Sequence, residues 1–214
     1  MSAVEMIQGS AAWHQARLGR VTASRVADVI ERTKAGKFTA AREKYMVQLL
    51  AERLTGQATP HFTSVEMLWG TEQEPAARRA YEFLHDVDVV QVGFVQHPRY
   101  SQAGASPDGF VDADGLIEIK APMSVTHVST LLRGTAPEDY LPQMQFQMAC
   151  TGRQFCDFVS YDPRMPDEMR IFVVRVPRDE TAIAAIEADV AAFLEELARR
   201  EAALRDRLAI REAA

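Results

Sequence analysis

The stretch SPDGFVDADGLIEIK, residues 106–120, decides the fold at the centre of this 214-residue chain. Apolar and β-branched residues on both sides of the Asp112–Gly115 segment predict two short strands joined by a hairpin turn. Side chains alternate between faces along a strand, so Glu118 and Lys120 are expected to point the same way. If the turn folds back as predicted, Asp108 returns to a position beside Glu118. Two carboxylates and one ammonium are therefore expected at one point on a sheet.

This group of side chains suits phosphodiester hydrolysis. Carboxylate and carbonyl oxygens are the ligands that Mg²⁺ prefers, so Asp108, Glu118 and the backbone carbonyl of Ile119 are predicted metal ligands. A metal at this position lowers the pKa of an attacking water and neutralises charge on a phosphorane-like transition state. Lys120 is the predicted catalytic lysine, which orients or deprotonates that water or stabilises the developing charge.

The same residues also have an ordinary structural explanation. A Glu-x-Lys triplet on a strand is commonly a surface ion pair, and Asp-Gly is commonly a turn, so the motif is a hypothesis. Two features favour a function. The charged pair lies within the mostly apolar segment 116–121, although charged residues are rarely placed in buried strands. Lys120 is also one of only four lysines in the chain, against 20 arginines.

Outward from this hairpin, the apolar periodicity predicts helices on both sides of a run of strands. The predicted helices cover about residues 11–17, 22–32, 39–54, 64–85, 125–132, 142–150 and 179–212. The predicted strands cover about residues 87–95, 101–105, 110–111, 116–119, 155–161 and 170–176. The hydroxyls of Thr22 and Ser24 are the expected cap of the second helix, and Pro75 is expected to kink the fourth or to begin a new first turn. This order predicts an α/β or α+β domain with one mixed sheet and helices on its faces.

Composition limits the class of protein. The chain is 47% hydrophobic, which is enough apolar material for one core, and a single domain over residues 1–214 is expected. It has no run of about eighteen apolar residues, so no membrane span is predicted, and residues 1–10 lack the features of a signal peptide. A soluble, cytoplasmic protein is expected. Cys150 and Cys156 make neither a disulfide framework nor a metal cluster and are expected to be buried thiols.

The formal net charge of −6 argues at first against a nucleic-acid partner. Much of that excess lies in residues 179–214, which hold nine acids and five bases. Net charge describes nonspecific attraction and not what one face of a protein binds. A DNA-binding face is therefore compatible with this composition. The planar guanidinium of arginine, the main basic residue here, also binds phosphate through paired hydrogen bonds, which the lysine ammonium does not match.

Seven short motifs in the chain resemble, in the same order, those of one nuclease family. They are Trp13-His14-x-x-Arg17-Leu18-Gly19, Thr22-Ala23-Ser24, Trp69-Gly70-x-x-x-Glu74, Ser106-Pro107-Asp108-Gly109, Glu118-Ile119-Lys120-Ala121-Pro122, Tyr140-x-x-Gln143-x-Gln145 and Tyr161-Asp162-Pro163-Arg164-Met165. Together they look like the phage lambda exonuclease family, also called the YqaJ-type viral recombinase nucleases, of the restriction-endonuclease-like PD-(D/E)xK superfamily. The motif-bearing core spans about residues 10–176, and the predicted C-terminal helix over 179–212 follows it.

The resemblance implies an α/β fold with a restriction-endonuclease-like core, in which helices flank a central mixed β-sheet. It implies a Mg²⁺-dependent 5′-to-3′ exonuclease that degrades linear double-stranded DNA to mononucleotides and leaves 3′ single-stranded tails for single-strand-annealing recombination. It also implies two metal ions, with Mn²⁺ able to substitute, and a homotrimeric ring around the DNA end. A single-strand annealing protein is the implied partner, in a bacterial cell or a phage-infected or prophage-bearing host.

Residue by residue, the resemblance extends the site beyond the hairpin. It implies that Glu74 is a further acid at the metal centre and that Gln143 lies at the catalytic centre. Arg17 and Ser24 match residues that hold the 5′-phosphate of DNA, and a guanidinium near a helix N-terminus is a sound phosphate site. Further candidates for DNA contact are Thr22, Met67 and Tyr140.

The residues leave two other functions open. A structure- or sequence-specific endonuclease on the same fold would nick closed circles, and a DNA-binding assembly subunit with a vestigial site would not need Lys120. The complete set of acids and lysine argues against the vestigial site. Trp13 and Trp69 are expected to be core anchors and not base-stacking platforms, since large aromatics usually serve packing. His127 is expected to be structural or exposed.

Overall fold

Seven α-helices and eight strands make up the part of the chain described by a computed structural model, residues 6–60 and 64–212. The helices are α1 Ala11–Arg17, α2 Val26–Ile30, α3 Ala40–Thr55, α4 Val65–His85, α5 Ser124–Arg133, α6 Leu141–Thr151 and α7 Glu180–Glu212. The strands are β1 Val21–Thr22, β2 Val89–Val90, β3 Val95–Gln96, β4 Ala103–Ala105, β5 Gly109–Val111, β6 Gly115–Lys120, β7 Phe155–Tyr161 and β8 Ile171–Pro177. Short 3₁₀ turns lie at Ala23–Arg25, Glu138–Tyr140 and Asp167–Met169.

The larger sheet has five strands in the order β2-β5-β6-β7-β8. Strands β6 and β7 are parallel, and the other neighbours are antiparallel, so the sheet is mixed as predicted. The predicted hairpin is present, with Val111 paired to Gly115 and Asp112 at its tip in a positive-φ conformation of 46°, which Asp tolerates better than most residues. A side chain cannot replace Gly109 at the start of β5, because a Cβ there would lie 2.2 Å from Cγ1 of Val89.

A second, three-stranded sheet, β1-β4-β3, lies outside the sequence prediction of one mixed sheet. The single strand predicted over residues 87–95 is correspondingly wrong. The chain adds Val89–Val90 to the large sheet and Val95–Gln96 to the small one. Between these strands Val92 and Phe94 are buried. The alternation of apolar residues therefore reflects burial in a segment that passes from one sheet to the other, and not one continuous strand.

The helix predicted over residues 22–32 is shorter and begins differently. Thr22 belongs to β1, where it pairs with Gly104, and its backbone N–H donates to the Tyr45 hydroxyl at 3.1 Å. Because the small sheet fixes Thr22, its hydroxyl does not cap the 3₁₀ turn at Ala23–Arg25, and α2 ends at Ile30. The other helices lie within two residues of their predicted bounds, and α4 continues through Pro75.

Two apolar cores cover the two faces of the large sheet. One core joins the sheet to α2, α3, α6 and α7, and the predicted stripe of α7 is buried there: Ile183, Ile186, Val190, Phe193 and Leu197, with Leu194 packed against them. The other core packs Ile117, Ile119 and Val159 against Ala77 and Tyr81 of α4. Alternate residues of β6 therefore face α6 and α4 in turn.

Two further expectations concern the cysteines and the membrane. Cys150 and Cys156 are free and buried, as predicted, and burial raises the pKa of both thiols. Among the helices of the described residues, none combines the length and the apolar character that crossing a bilayer requires.

Candidate active site

The site lies just before the start of strand β5. Pairing between β5 and β6 ends at Gly109 and Ile117, and beyond it the Asp108 carboxylate accepts a hydrogen bond from the backbone N–H of Ile119 at 2.6 Å. The N–H and carbonyl of one strand residue point to the same side, so the Ile119 carbonyl faces the same edge. A carboxylate and a carbonyl oxygen are thereby placed together at the open edge of β6.

Glu118 is held from two directions, with its side chain only 2% exposed. The Lys120 ammonium lies 2.5 Å from Oε1, which confirms that these two side chains share a face. From α6, Gln143 donates to Oε1 and Gln147 donates to Oε2, each at 2.6 Å. Gln147 escaped the sequence prediction, although it follows Gln143 by four residues and therefore shares its helix face.

Charge in this group is not balanced. Burial raises the pKa of Asp108, and the carboxylates of Glu118 and Glu74 raise it further. Burial alone would lower the pKa of Lys120, but Glu118 and Asp108 outweigh it and the pKa is raised. The lysine is therefore kept as an ammonium, and the surplus of buried carboxylate is the environment that a cation would relieve.

Glu74 reaches the site from α4 but is directed elsewhere. It lines the pocket, and its carboxylate pairs with Arg78 one turn later in the helix. Arg78 is a second residue that sequence reasoning missed, although the i,i+4 spacing signals the pair. Within residues 6–60 and 64–212, no three Asp, Glu, His or Cys side chains gather as a metal site. The predicted metal ligands Asp108, Glu118, Ile119 and Glu74 therefore line one pocket, but their oxygen atoms are not gathered as a coordination shell.

A pocket of about 580 Å³ opens above these residues. The predicted site residues in its wall are Arg17, Ser24, Met67, Glu74, Asp108, Glu118, Ile119, Lys120, Tyr140 and Gln143. Thr22 is buried behind Ser24, with 3.3 Å between their hydroxyl oxygens. Thr22 is therefore the one predicted DNA contact that is not among the described residues lining the pocket.

Arg17 lies at the end of α1 on the far side of the pocket. One of its guanidinium nitrogens donates to the Ser106 hydroxyl at 3.1 Å, and the Trp13 indole donates to the same oxygen at 2.9 Å. The guanidinium carbon lies 4.1 Å from the centre of the Trp13 ring. Burial lowers the pKa of Arg17. A partly desolvated, pre-oriented guanidinium of this kind is a strong partner for an anion, and Ser106 is its unpredicted support.

Aromatic residues line the rim of the pocket. The Lys120 ammonium lies 4.8 Å from the centre of the Tyr140 ring, so Tyr140 lies beside the Glu118–Lys120 pair. The expectation that Trp13 and Trp69 are core anchors is wrong, because neither is fully buried and a guanidinium covers each ring, from Arg17 and Arg164 respectively. Both rings lie outside the two apolar cores and make cation–π contacts, and of the two only Trp13 lines the described pocket.

Two other polar residues are structural. Gln145 points away from the pocket, where its amide donates to the Pro177 carbonyl at 2.8 Å and accepts from the Asp179 N–H at 2.9 Å. His127 is fully buried, and its ring contacts the Ser160 hydroxyl at 2.7 Å and the Met169 carbonyl at 2.8 Å. His127 is therefore structural, one of the two outcomes expected for it.

The chain is similar to known proteins over most of its length. The model of the YqaJ-like viral recombinase domain matches residues 12–154. The crystal structure of an alkaline exonuclease, LHK-Exo, from Laribacter hongkongensis matches with a TM-score of 0.87 and 48% identity, covering 94% of this chain and 98% of that one. The same enzyme in complex with dAMP gives the same figures.

Two more distant relatives match as well. The structure of a phage related exonuclease from Haemophilus somnus 129PT matches with a TM-score of 0.68 at 16% identity, covering 86% of this chain and 96% of that one, and shows a shared fold. The uncharacterized protein R354 of Acanthamoeba polyphaga mimivirus is 26% identical over 165 residues, 71% of this chain. The chain spans only 28% of the length of that viral protein.

Proposed function

Because the chain belongs to the YqaJ-like viral recombinase domain family, we propose that it is a Mg²⁺-dependent exonuclease that degrades linear double-stranded DNA from 5′ to 3′. The observation that carries this proposal is the surplus of buried carboxylate around Glu118, facing a pocket beside an ammonium. The 48% identity to an alkaline exonuclease supports a nuclease that acts on DNA. The dAMP complex of that enzyme supports a site that accommodates a nucleotide.

The donor set fits a hard divalent cation. Asp108, Glu118 and the Ile119 carbonyl offer only oxygen, and the like charge that raises the pKa of Asp108 is what a cation relieves. Glu74 would join this set on leaving Arg78. Bound Mg²⁺, as one or two ions, or Mn²⁺ in its place, would activate water and neutralise charge at the scissile phosphate.

The chain's own residues supply positioning and charge. Lys120 is an ammonium held by Glu118 at 2.5 Å, so it can orient an attacking water or stabilise charge that develops on the phosphate oxygens. Gln143 and Gln147 fix the orientation of the Glu118 carboxylate. This preorganisation matters because small displacements of reacting groups cost large factors in rate.

The opposite side of the pocket offers a place for the DNA end. Arg17, braced by Ser106 and stacked on Trp13, presents a guanidinium to the same cavity as Lys120, and Ser24 adds an exposed hydroxyl. We assign the 5′-phosphate to Arg17 and Ser24. Met67 and Tyr140 line the same pocket and are the proposed contacts to the terminal nucleotide.

Digestion of end-labelled linear duplex tests this function. With Mg²⁺, we expect mononucleotide products and a rate about tenfold higher on 5′-phosphate than on 5′-hydroxyl ends, because the phosphate adds charge-assisted hydrogen bonds. EDTA and Lys120→Ala should abolish the reaction. Covalently closed circles are the matched control, and their cutting at the rate of linear DNA would identify an endonuclease and contradict the proposal.

The assembly and the setting of the enzyme are proposals that rest on family membership. We propose a homotrimeric ring around the DNA, a single-strand annealing protein as partner, and action in the cytoplasm of a bacterial or phage-infected host. Light scattering of the purified chain tests the ring, since a monomeric mass at micromolar concentration would contradict it. A closed ring requires two complementary surfaces on each subunit.

A further inference from the structure

Arg164 lies in the Tyr161–Met165 segment that follows β7, and its guanidinium is fixed in place. Asp162, whose side chain is fully buried, accepts from Arg164 Nε at 2.7 Å through one oxygen and from a terminal nitrogen at 3.0 Å through the other. The Asp162 carboxylate also accepts the backbone N–H of Arg164 at 3.0 Å. A bidentate pair of this geometry holds the plane of the guanidinium in one orientation.

The oriented guanidinium reaches two separate parts of the chain. Its carbon lies 4.4 Å from the centre of the Trp69 ring on α4. One of its nitrogens donates to the Pro122 carbonyl at 3.4 Å, just beyond the end of β6. The Trp69 indole nitrogen is buried and has no hydrogen-bond partner among the described residues, so stacking on Arg164 is the polar contact of this ring.

Both parts of the chain contribute to the wall of the pocket. Met67 and Thr71 of α4 line it, and so do Pro122 and Met123, which follow β6. We call them the α4 wall and the β6 wall. Arg164 contacts both walls, since Trp69 lies in the same helix turns as Met67 and Thr71, and Pro122 is itself part of the β6 wall.

Among the described residues, the first turns of α4 make few buried apolar contacts. The buried residues of α4 begin only at Ala77, whereas Val65, Met67 and Leu68 in its first turn are mostly exposed. Segments with few buried apolar contacts open locally at low free energy. A single stacked contact can therefore decide the position of this part of the helix.

We propose that Arg164 is a positioning residue that ties the α4 wall to the β6 wall and so sets the width of the pocket that receives a DNA strand. The tie itself is a property of the protein without DNA, and its effect on the DNA end rests on the proposed function. Glu118 is held by two glutamines of α6, and Lys120 is held by Glu118, so the tie acts on the entry of the strand more than on the reacting groups.

Hydrogen exchange of the DNA-free protein tests the tie directly. In Arg164→Ala, peptides covering residues 65–73 should exchange roughly fivefold faster, the effect of losing one cation–π contact. Peptides from β6 and α7 should be unchanged. Arg170→Ala is the matched control, because Arg170 lies in the same loop and its side chain, among the residues that the structure describes, pairs with exposed Asp167 and the Met165 carbonyl and not with either wall.

Kinetics test the consequence for DNA. Arg164→Ala should raise KM for a 5′-phosphorylated duplex about five- to tenfold and change kcat less than twofold. Arg164→Lys keeps the charge but loses the planar fork and should recover only part of the loss. Trp69→Leu removes the ring on which Arg164 stacks and leaves the Asp162–Arg164 pair intact. It should speed exchange over residues 65–73 by the same factor, even if Arg164→Ala folds poorly.

Three results would overturn the proposal. They are unchanged exchange over residues 65–73 in either variant, faster exchange throughout the chain with a collapse in Tm in both Arg164→Ala and Trp69→Leu, and a loss of kcat with unchanged KM. Because the exchange measurement needs no nuclease activity, a chain without such activity but with the predicted local exchange would contradict the proposed function and leave the tie standing.

Discussion

Two buried carboxylates on neighbouring strands have opposite surroundings. Glu118 on β6 and Asp157 on β7 each expose 2% of their side chains, and the register pairs Asp157 with Ile117, one residue before Glu118. Their side chains therefore leave opposite faces of the sheet. Asp157 accepts two hydrogen bonds from Arg175, at 2.8 and 2.9 Å, and one from the Tyr81 hydroxyl at 2.7 Å.

The difference lies in charge balance and in what each carboxylate faces. Asp157 and Arg175 form one neutral pair, and burial together with Asp157 raises the pKa of Tyr81, which keeps the phenol a hydrogen-bond donor. Glu118 shares its surroundings with Asp108, and the pocket opens above them. Burial alone therefore does not mark a functional acid. What sets the proposed functional acids apart is an unbalanced buried charge beside an open cavity, since structural pairs are normally neutral.

The largest effect should come from neutralising the unbalanced group. Asp108→Asn should lower exonuclease activity about a thousandfold, because it removes a proposed metal ligand. In metal-free buffer the same change should stabilise the fold by about 1 kcal/mol, or 2–4 °C in Tm. The reason is that the pKa of Asp108 is raised in the folded chain, so its ionisation costs stability as pH rises, and Asn avoids that cost.

A nuclease assay measures the loss of activity, and calorimetry with and without Mg²⁺ measures the change in stability and the response to metal. Wild type should gain Tm on adding Mg²⁺, because a ligand that binds only the folded state stabilises it. Asp108→Asn should not respond. A Tm that falls in metal-free Asp108→Asn would show that Asp108 is a structural acid like Asp157.

The balanced pair should respond in the opposite way. Asp157→Asn should destabilise the fold by about 2 kcal/mol, because it weakens three hydrogen bonds to a buried charge while Arg175 stays partly in water. Activity per folded molecule should stay within twofold of wild type. Urea denaturation measures the stability, and a nuclease assay at urea concentrations below the unfolding transition measures the activity. A tenfold loss of activity without loss of stability would contradict the structural role of Asp157.

A smaller effect is expected from the amide that holds Glu118. Gln147→Met keeps the approximate length of the side chain and removes the hydrogen bond to Glu118 Oε2, so activity should fall about tenfold and the Mg²⁺ concentration for half-maximal rate should rise. Gln145→Met is the matched control on the same helix. It should lower Tm and leave the Mg²⁺ dependence alone, since Gln145 bonds only to backbone groups near Pro177.

The smallest effect should come from the support of Arg17. Ser106→Ala removes the acceptor of one Arg17 N–H, so the guanidinium loses orientation but keeps its charge. KM for 5′-phosphorylated duplex should rise about fivefold, which corresponds to a loss of roughly 1 kcal/mol in binding free energy. KM for 5′-hydroxyl duplex should change less, and equal changes on both substrates would show that Ser106 does not act through the phosphate.

The hairpin and its charged pair could be predicted because they depend on local rules. Turn residues at 112–115 and the two-residue period of a strand are enough to place Glu118 and Lys120 on one face. Gln147 and Arg78 lie on correctly predicted helices at a spacing of four from Gln143 and Glu74. They escaped prediction because periodicity shows which residues share a face, and only packing shows which face meets the site.

Non-local contacts account for the remaining differences. Ser106 receives hydrogen bonds from Trp13 and Arg17, about ninety residues earlier in the chain, and no local pattern signals that meeting. The split of residues 87–95 between two sheets likewise depends on which strands lie nearby. The unbalanced charge around Asp108 could be suspected from sequence, but its partition among Glu118, Glu74 and Lys120 required the folded arrangement.

The hydrogen bond from the Ile119 N–H to the Asp108 carboxylate makes the Ile119 amide a spectroscopic reporter of that carboxylate. The bond is 2.6 Å long and occupies the place that a strand partner would take. Amide proton shifts follow the strength of the hydrogen bond they donate, so the Ile119 amide resonance should report the state of the Asp108 carboxylate. Spectroscopy can thus follow the arrival of a cation or a phosphate at this centre through one backbone signal, with no label added to the pocket.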